Sequence, residues 1–391
     1  MEKKINVLYI SQKPCIPVVD GGTYAIHSFL SAVSNVKDLN VTYLPISTPK
    51  HPHDALGFAS AFKTIPQVVL ALDPNRLTPH LLSIFSPIPM NVRRYQQRST
   101  RQKLETLASN HSYDWIICDG LYALSVIPNE WFECKKILYR SHNLEFEHWA
   151  QRASFSSGIF GWFYHKISQK LKPYETALLK KCSAIFCLST YDYSCIKSNI
   201  NPSTHLFYPT FALQPSNIAP TAYTLYFVGD CTWPPNRDGI TVFIDSVWPK
   251  IKEILPQVTL HLAGKGTARF TNKKAGIEGY GFIQDLKSFV ADKQAMISPL
   301  RMATGINIKI LENMAMGKPC IATPESAKGF PEKAGLLSIH PLPEAFASAC
   351  LEQITHVEAN RVTTKKAEEF IQEHCNETTQ ILQLEAFFHE S

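Results

Sequence analysis

RMATGINIKILENMAMGKPCIAT, residues 301–323, decides the fold. It follows the strand-like run AMISPL (295–300) and ends in a second one, PCIAT (319–323). The spacing between them predicts a helix over 306–316, opening near Gly305. Gly317 stands where a helix commonly stops, with Pro319 beyond it. A helix joined to strands by such short connections belongs to a parallel α/β unit, and its amino end lies at the carboxyl edge of the sheet. The unpaired N–H groups of that end favour an anion, with Arg301 and Lys309 as counter-charges.

Glu312 stands in the middle of this run, among Ile308, Leu311, Met314 and Ala315. At the standard rise it lies about 10 Å along the axis from Gly305. That is roughly the offset between a pyrophosphate and the ribose of a nucleotide. A carboxylate beside a sugar diol accepts two hydrogen bonds, which offsets its desolvation. The alternative is an ordinary Lys309–Glu312 pair on a partly solvated helix face, worth a few tenths of a kcal/mol.

The same alternation runs through the chain. Strands are expected at 5–11, 40–46, 115–119, 136–140, 184–189, 225–230, 258–264, 295–300 and 319–323. Helices are expected at 22–34, 99–109, 166–181, 239–255, 306–316 and 364–388. Most of the strand runs are continuously apolar, as in parallel strands covered on both faces. The proline-bearing, nearly uncharged segment 207–224 separates two such series and reads as an interdomain connection. The chain of 391 residues thus holds two doubly wound α/β domains, 1–210 and 211–370, followed by a terminal helix, 371–391.

Composition narrows the rest. A net charge of +6 and a pI near 8.7 allow an anionic ligand or membrane surface, but are too small to argue for nucleic acid. The ten cysteines include no Cys-x-x-Cys, and their spacing fits neither a zinc site nor a disulfide framework. Cys118 and Cys187 fall in apolar strands, as small hydrophobes. Without a cleavage-site pattern or an apolar run of about 18 residues, a cytoplasmic location is expected.

Candidate chemistry sits just after strands. Asp20, Gly21 and Gly22 precede the first helix; paired glycines admit close approach of a ligand, or make an ordinary tight turn. His142 stands just past KILYR (136–140), after Ser141, and is suited to handling a proton or developing charge. Glu145 and Glu147 read as helix-start residues. Gly229 ends LYFVG (225–229), and Arg237 in DCTWPPNRDG (230–239) is a candidate for phosphate, with Asn236 or Asp238 as helix caps.

Taken together, SPLRMATGINIKILENMAMGKPCIAT (298–323), LYFVGDCTWPPNRDG (225–239), VTLHLAGKG (258–266) and YRSHNLE (139–145) resemble the retaining glycosyltransferases of family 4, densest over 223–330. The resemblance implies the GT-B fold, two Rossmann-like domains facing across a cleft. It implies an acceptor side in 1–210, a nucleotide-sugar donor side in 211–370 and a final helix crossing back. It assigns Glu312 to the donor ribose and Gly305, with Ile306 at the helix start, to the diphosphate. Arg301 and Lys309 become cationic partners, His142 lies near the transferred sugar, and Gly21–Gly22 face the phosphates and acceptor. Many members carry a second glutamate eight positions before the ribose acid. Here that position is Thr304, which supplies no charge. The usual basic pair after the first strand of the second domain is reduced to Arg237.

The expected activity is transfer of a hexose-type sugar from a nucleoside-diphosphate sugar to a saccharide or lipid-linked acceptor. No cofactor and no metal are expected, since the sequence holds no Asp-x-Asp and helix ends with Arg and Lys can carry the charge. A nucleotide-sugar epimerase and a non-catalytic sugar-binding protein remain alternatives. Residues 155–181 mix aromatics with lysines, which suits peripheral contact with the inner face of an anionic membrane as well as a packed helix behind a mobile loop.

Overall fold

The computed structural model describes residues 4–73, 86, 88–332 and 335–390. The chain divides into two compact units, Met1–Thr210 with Glu377–Ser391, and Phe211–Asn376.

In the first unit the strands are β1 (Ile5–Ser11), β2 (Leu39–Ser47), β3 (Leu70–Ala71), β4 (Trp115–Asp119), β5 (Lys136–Ser141), β6 (Ala184–Cys187) and β7 (Thr204–Leu206). They form a seven-stranded parallel sheet in the order β3-β2-β1-β4-β5-β6-β7. The chain builds outward from β1, then returns to β1's other side with β4. The strand order therefore reverses between β1 and β4, the point where doubly wound sheets open a ligand crevice.

Alternate residues of these strands feed two cores. Leu8, Ile10, Ile116, Cys118, Ile137 and Tyr139 face one layer of helices. Val7, Tyr9, Trp115, Ile117, Leu138 and Phe186 face the other. Covering both faces is what makes the sequence continuously apolar. The terminal helix Glu377–Glu390 belongs to the second of these cores through Leu384 and Phe388.

The second unit repeats the plan. Strands β8 (Thr224–Val228), β9 (Thr259–Ala263), β10 (Ile277–Gly281), β11 (Ala295–Ser298), β12 (Cys320–Ala322) and β13 (Ser338–Ile339) form a six-stranded parallel sheet, β10-β9-β8-β11-β12-β13. Its order reverses between β8 and β11.

The nine strands expected from sequence all form. Four others, β3, β7, β10 and β13, escape the apolar pattern, and they are the four edge strands of the two sheets. Several helices differ from expectation. The helix expected at 306–316 is Ile308–Ala315, so Gly305 lies in the preceding loop with φ 66°. The expected 166–181 helix starts at Gly158, and the expected 239–255 helix starts at Pro234 and passes through a π turn at Phe243–Val247. The expected 364–388 helix is two, Val357–His374 and Glu377–Glu390. At the break the Cys375 carbonyl accepts from the Phe211 N–H at 2.7 Å.

Candidate functional site

The switch point of the second unit gathers the residues of the opening motif. Gly229 follows β8, and a Cβ there would stand 2.8 Å from the Phe227 ring and 3.0 Å from Lys309 Nζ. Gly264, after β9, packs its backbone on Gly229: a Cβ on it would lie 2.1 Å from the Gly229 carbonyl oxygen. The missing side chains let backbone and Lys309 pack closely at the carboxyl ends of β8 and β9.

Lys309 reaches Gly229 from the second residue of the helix Ile308–Ala315. Its ammonium donates to Asn236 Oδ1 at 2.8 Å and lies 4.5 Å from the centre of the Phe227 ring. Burial pulls its pKa down from 10.5 to about 8. Asn236 does not cap a helix, because that helix begins earlier, at Pro234. Its amide instead donates to the Asp230 carbonyl at 2.9 Å, which holds the oxygen toward Lys309.

Glu312 stands one turn further along and is partly buried. Its pKa is raised, and burial is the cause. No Lys309–Glu312 ion pair forms among the described residues, and the Glu312 carboxylate makes no hydrogen bond there either. The ordinary helix-pair alternative is thereby removed. With the helix starting at Ile308, the axial offset from its first residue to Glu312 is about 6 Å rather than about 10 Å.

The helix start is open. Asn307, the residue before the helix, turns its amide to Ser298 Oγ at 3.2 Å instead of capping its own helix. The first-turn N–H groups therefore lack a side-chain acceptor, the arrangement that suits an anion. Gly305 needs its positive φ, and Gly329 packs against the same loop, where a Cβ would come 2.7 Å from Ile306 Cα. Thr304 is partly exposed and Ile306 buried. Arg301 is held in a two-point ion pair with Asp238, at 2.6 and 2.9 Å, and Asp238, like Asn236, is no helix cap. Arg237 is exposed on the helix Pro234–Val242.

The first unit has its own constellation at the β1/β4 switch point and neighbouring β5. Asp119, the last residue of β4, is fully buried and pairs in register with Arg140 of β5. Three donors converge on its carboxylate: Arg140 Nη1 at 3.0 Å, the Tyr9 hydroxyl, and Nε2 of His142. Burial pushes this carboxyl up, but Arg140, His142 and the hydrogen bonds outweigh it and bring the pKa to about 2. Arg140 is itself wholly buried, with its guanidinium 4.5 Å from the centre of the Phe29 ring. A carboxylate on Nε2 fixes the ring of His142 and leaves Nδ1 to face other partners.

Gly21 and Gly22 are the first two residues of the helix Gly21–Ser34, not a loop before it. Asp20 caps this helix by accepting from the Thr23 N–H at 2.7 Å, and it also binds Lys13 Nζ at 2.7 Å. A Cβ on Gly22 would meet Lys13 Nζ at 2.7 Å, so glycine there makes room for the lysine.

Residues 222–356, which contain the second switch point, match the family described as glycosyl transferases group 1. Among solved structures, sucrose-phosphate synthase from Thermosynechococcus elongatus superposes with a TM-score of 0.70 at 15% identity, covering 99% of each chain. The Anabaena HepE complex with UDP and glucose superposes with a TM-score of 0.66 at 15% identity, covering 99% of this chain and 100% of that one. The fold is GT-B. A Klebsiella pneumoniae protein described as an uncharacterized 44.6 kDa protein in the cps region is 22% identical over 252 residues, 60% of this chain. The matched part spans 63% of that relative's own length.

Within this GT-B chain, sequence reasoning singled out Lys309, Glu312, Gly229 and His142 but missed their partners. Its place just before a helical run suggests a cap for Asn236, not the acceptor it provides for Lys309. Asp119 ends WIICD, and the neighbouring strand ends in YRS with His142 just beyond it. The register of two parallel strands is the signal that pairs them.

Proposed function

We propose that the protein is a retaining glycosyltransferase. It moves a hexose-type sugar from a nucleoside-diphosphate sugar to an acceptor hydroxyl in the synthesis of a polysaccharide or glycoconjugate. One observation carries the reading. An enclosed ammonium, Lys309, stands without a carboxylate partner beside an open helix start, and an unpaired carboxylate, Glu312, follows one turn later. Enclosed charges of both signs left unpaired are costly unless a ligand completes them.

A nucleoside diphosphate completes both. Its phosphates take Lys309 and the free amides at the helix start, and its ribose hydroxyls donate to Glu312. The family match over this segment and the UDP and glucose held by the Anabaena structure support the assignment. The Klebsiella relative's place in a cps region supports a polysaccharide product. Charge on the departing diphosphate is the main thing to stabilise, and fixed donors in an enclosed site do this best. That stabilisation needs no metal. His142, fixed by Asp119, orients the transferred sugar, and the acceptor's proton passes to the leaving phosphate, so no strong protein base is required.

Purified protein with a panel of nucleotide sugars and saccharide acceptors tests this. The expected result is acceptor-dependent release of nucleoside diphosphate, unchanged by EDTA. Glu312→Ala is expected to weaken donor affinity about 10- to 100-fold, the loss of hydrogen bonds to a charged group. Product from donor alone would favour an epimerase. Binding without turnover would favour a non-catalytic sugar-binding protein.

A further inference from the structure

The first unit carries a helical hairpin with an unusual tip. The helix Glu145–Ser154 leaves the end of β5, and the helix Gly158–Leu179 returns. Their bases are tied together. Glu175 accepts the N–H groups of Glu145 and Phe146, both at 3.0 Å, and the Ser168 hydroxyl donates to the Phe146 carbonyl at 2.9 Å. Arg152 lies 4.4 Å from the centre of the Tyr164 ring. The first fully buried residue of the second helix is Ile167. Among the described residues, no core covers the two turns ahead of it.

Those turns are apolar. Phe155, Ile159, Phe160, Trp162 and Phe163 are 47, 74, 65, 61 and 38% exposed. They are five of the fifteen exposed large hydrophobic side chains among the described residues, gathered within nine positions. Helical spacing then orders the surface. Ile159, Trp162, Phe163, Lys166 and Lys170 fall on one stripe, and the buried Ile167, Leu171 and Glu175 lie on a neighbouring one, about a third of a turn round the helix. Between residues 148 and 181 the chain has six basic residues and one acid. That acid is the buried Glu175. Beyond Glu145 and Glu147 at its base, the hairpin's exposed charge is therefore wholly positive.

We propose that this hairpin tip docks on an anionic lipid surface. The aromatic and aliphatic side chains enter the headgroup boundary, and Lys166 and Lys170 run back to the lipid phosphates. The mixture discriminates among occupants. An acidic protein groove would match the lysines but leave the apolar end wet. A second copy of the chain would bring the same positive charges face to face. Anionic lipid meets both ends at once. The inference does not depend on the transferase reading, because it concerns surface residues remote in sequence from Lys309 and Glu312.

Co-sedimentation with vesicles tests it, with no nucleotide present. The full chain is mixed with phosphatidylcholine vesicles, and with vesicles in which about a third of the lipid is phosphatidylglycerol. Binding is expected only to the second, and it should fall steeply when salt rises from about 0.1 to about 0.5 M. Lys166→Gln with Lys170→Gln should lower partitioning about thirtyfold. Phe160→Ser with Trp162→Ser should abolish it while the thermal midpoint and circular dichroism stay unchanged. Equal binding to both vesicle types, or to neither, would overturn the proposal. So would full binding by the serine variant, or a wild-type dimer that this variant dissolves without any vesicle binding by the parent.

Discussion

Lys309 is the residue on which the donor site turns. Sequence spacing pairs it with Glu312, three positions on; the structure sends it the other way, to Asn236 and the Phe227 ring. The consequence is measurable. With a pKa near 8, the ammonium is charged below that pH and neutral above it. Diphosphate binds the charged form, so affinity should be at full strength at pH 7 and weaken by up to about tenfold per unit above pH 8. Calorimetric titration of a nucleoside diphosphate across that range checks it. Lys309→Met should bind more weakly at pH 7 and show no such slope. Asp119 gives a second test at the same scale. Its folded pKa lies below the unfolded value, so its contribution to stability is complete above about pH 4 and disappears as pH falls toward 2. Asp119→Asn leaves Arg140 buried without its anion, and chemical denaturation should show a loss of about 3–5 kcal/mol. These residues also show what the sequence hides. Lys309 and His142 are legible because they follow strands in a fold whose ligand edge is known. Asn236 and Asp119 are not, since their roles arise from neighbours far along the chain.

At the scale of elements, the long strands announce themselves by being covered on both faces, while edge strands such as Leu70–Ala71 and Ser338–Ile339 are too short for any pattern to accumulate. Helix ends are the weaker part. Gly317 marks the stop of its helix through a left-handed φ of 67°, as the sequence suggests. Gly305 has nearly the same φ yet belongs to the loop, because a glycine signals a turn without saying on which side of it the helix lies. Glycines at the strand ends yield a sharper prediction. Gly264 has φ 122°, and an added Cβ would strike the Gly229 carbonyl oxygen at 2.1 Å. Gly264→Ala should destabilise the second unit by about 2–4 kcal/mol and weaken nucleotide binding more than the same change at the exposed Gly158, which has open space around it. Paired melting and titration curves separate the two.

At the scale of the whole molecule, the same strand order appears twice with no visible sequence repeat, so two cores reach one topology by separate residue choices. The chain's end is part of the first core. Leu384 is 0% and Phe388 3% exposed, and Phe388 meets the Trp115 ring at 5.5 Å. Removing residues 377–391 should therefore destabilise the first unit, and Leu384→Ala alone should cost about 2–5 kcal/mol. The break at Cys375 could not be read from a run that is amphipathic on both sides of it. The central claim, that a nucleoside diphosphate completes the charges at the β8/β11 edge, is tested most directly by a crystal structure with that ligand. The account predicts phosphate oxygens within hydrogen-bonding distance of Lys309 Nζ and the amides at the start of the helix Ile308–Ala315, with the ribose hydroxyls on Glu312. A nucleotide bound elsewhere, with Lys309 still on Asn236 alone and Glu312 unoccupied, would contradict it.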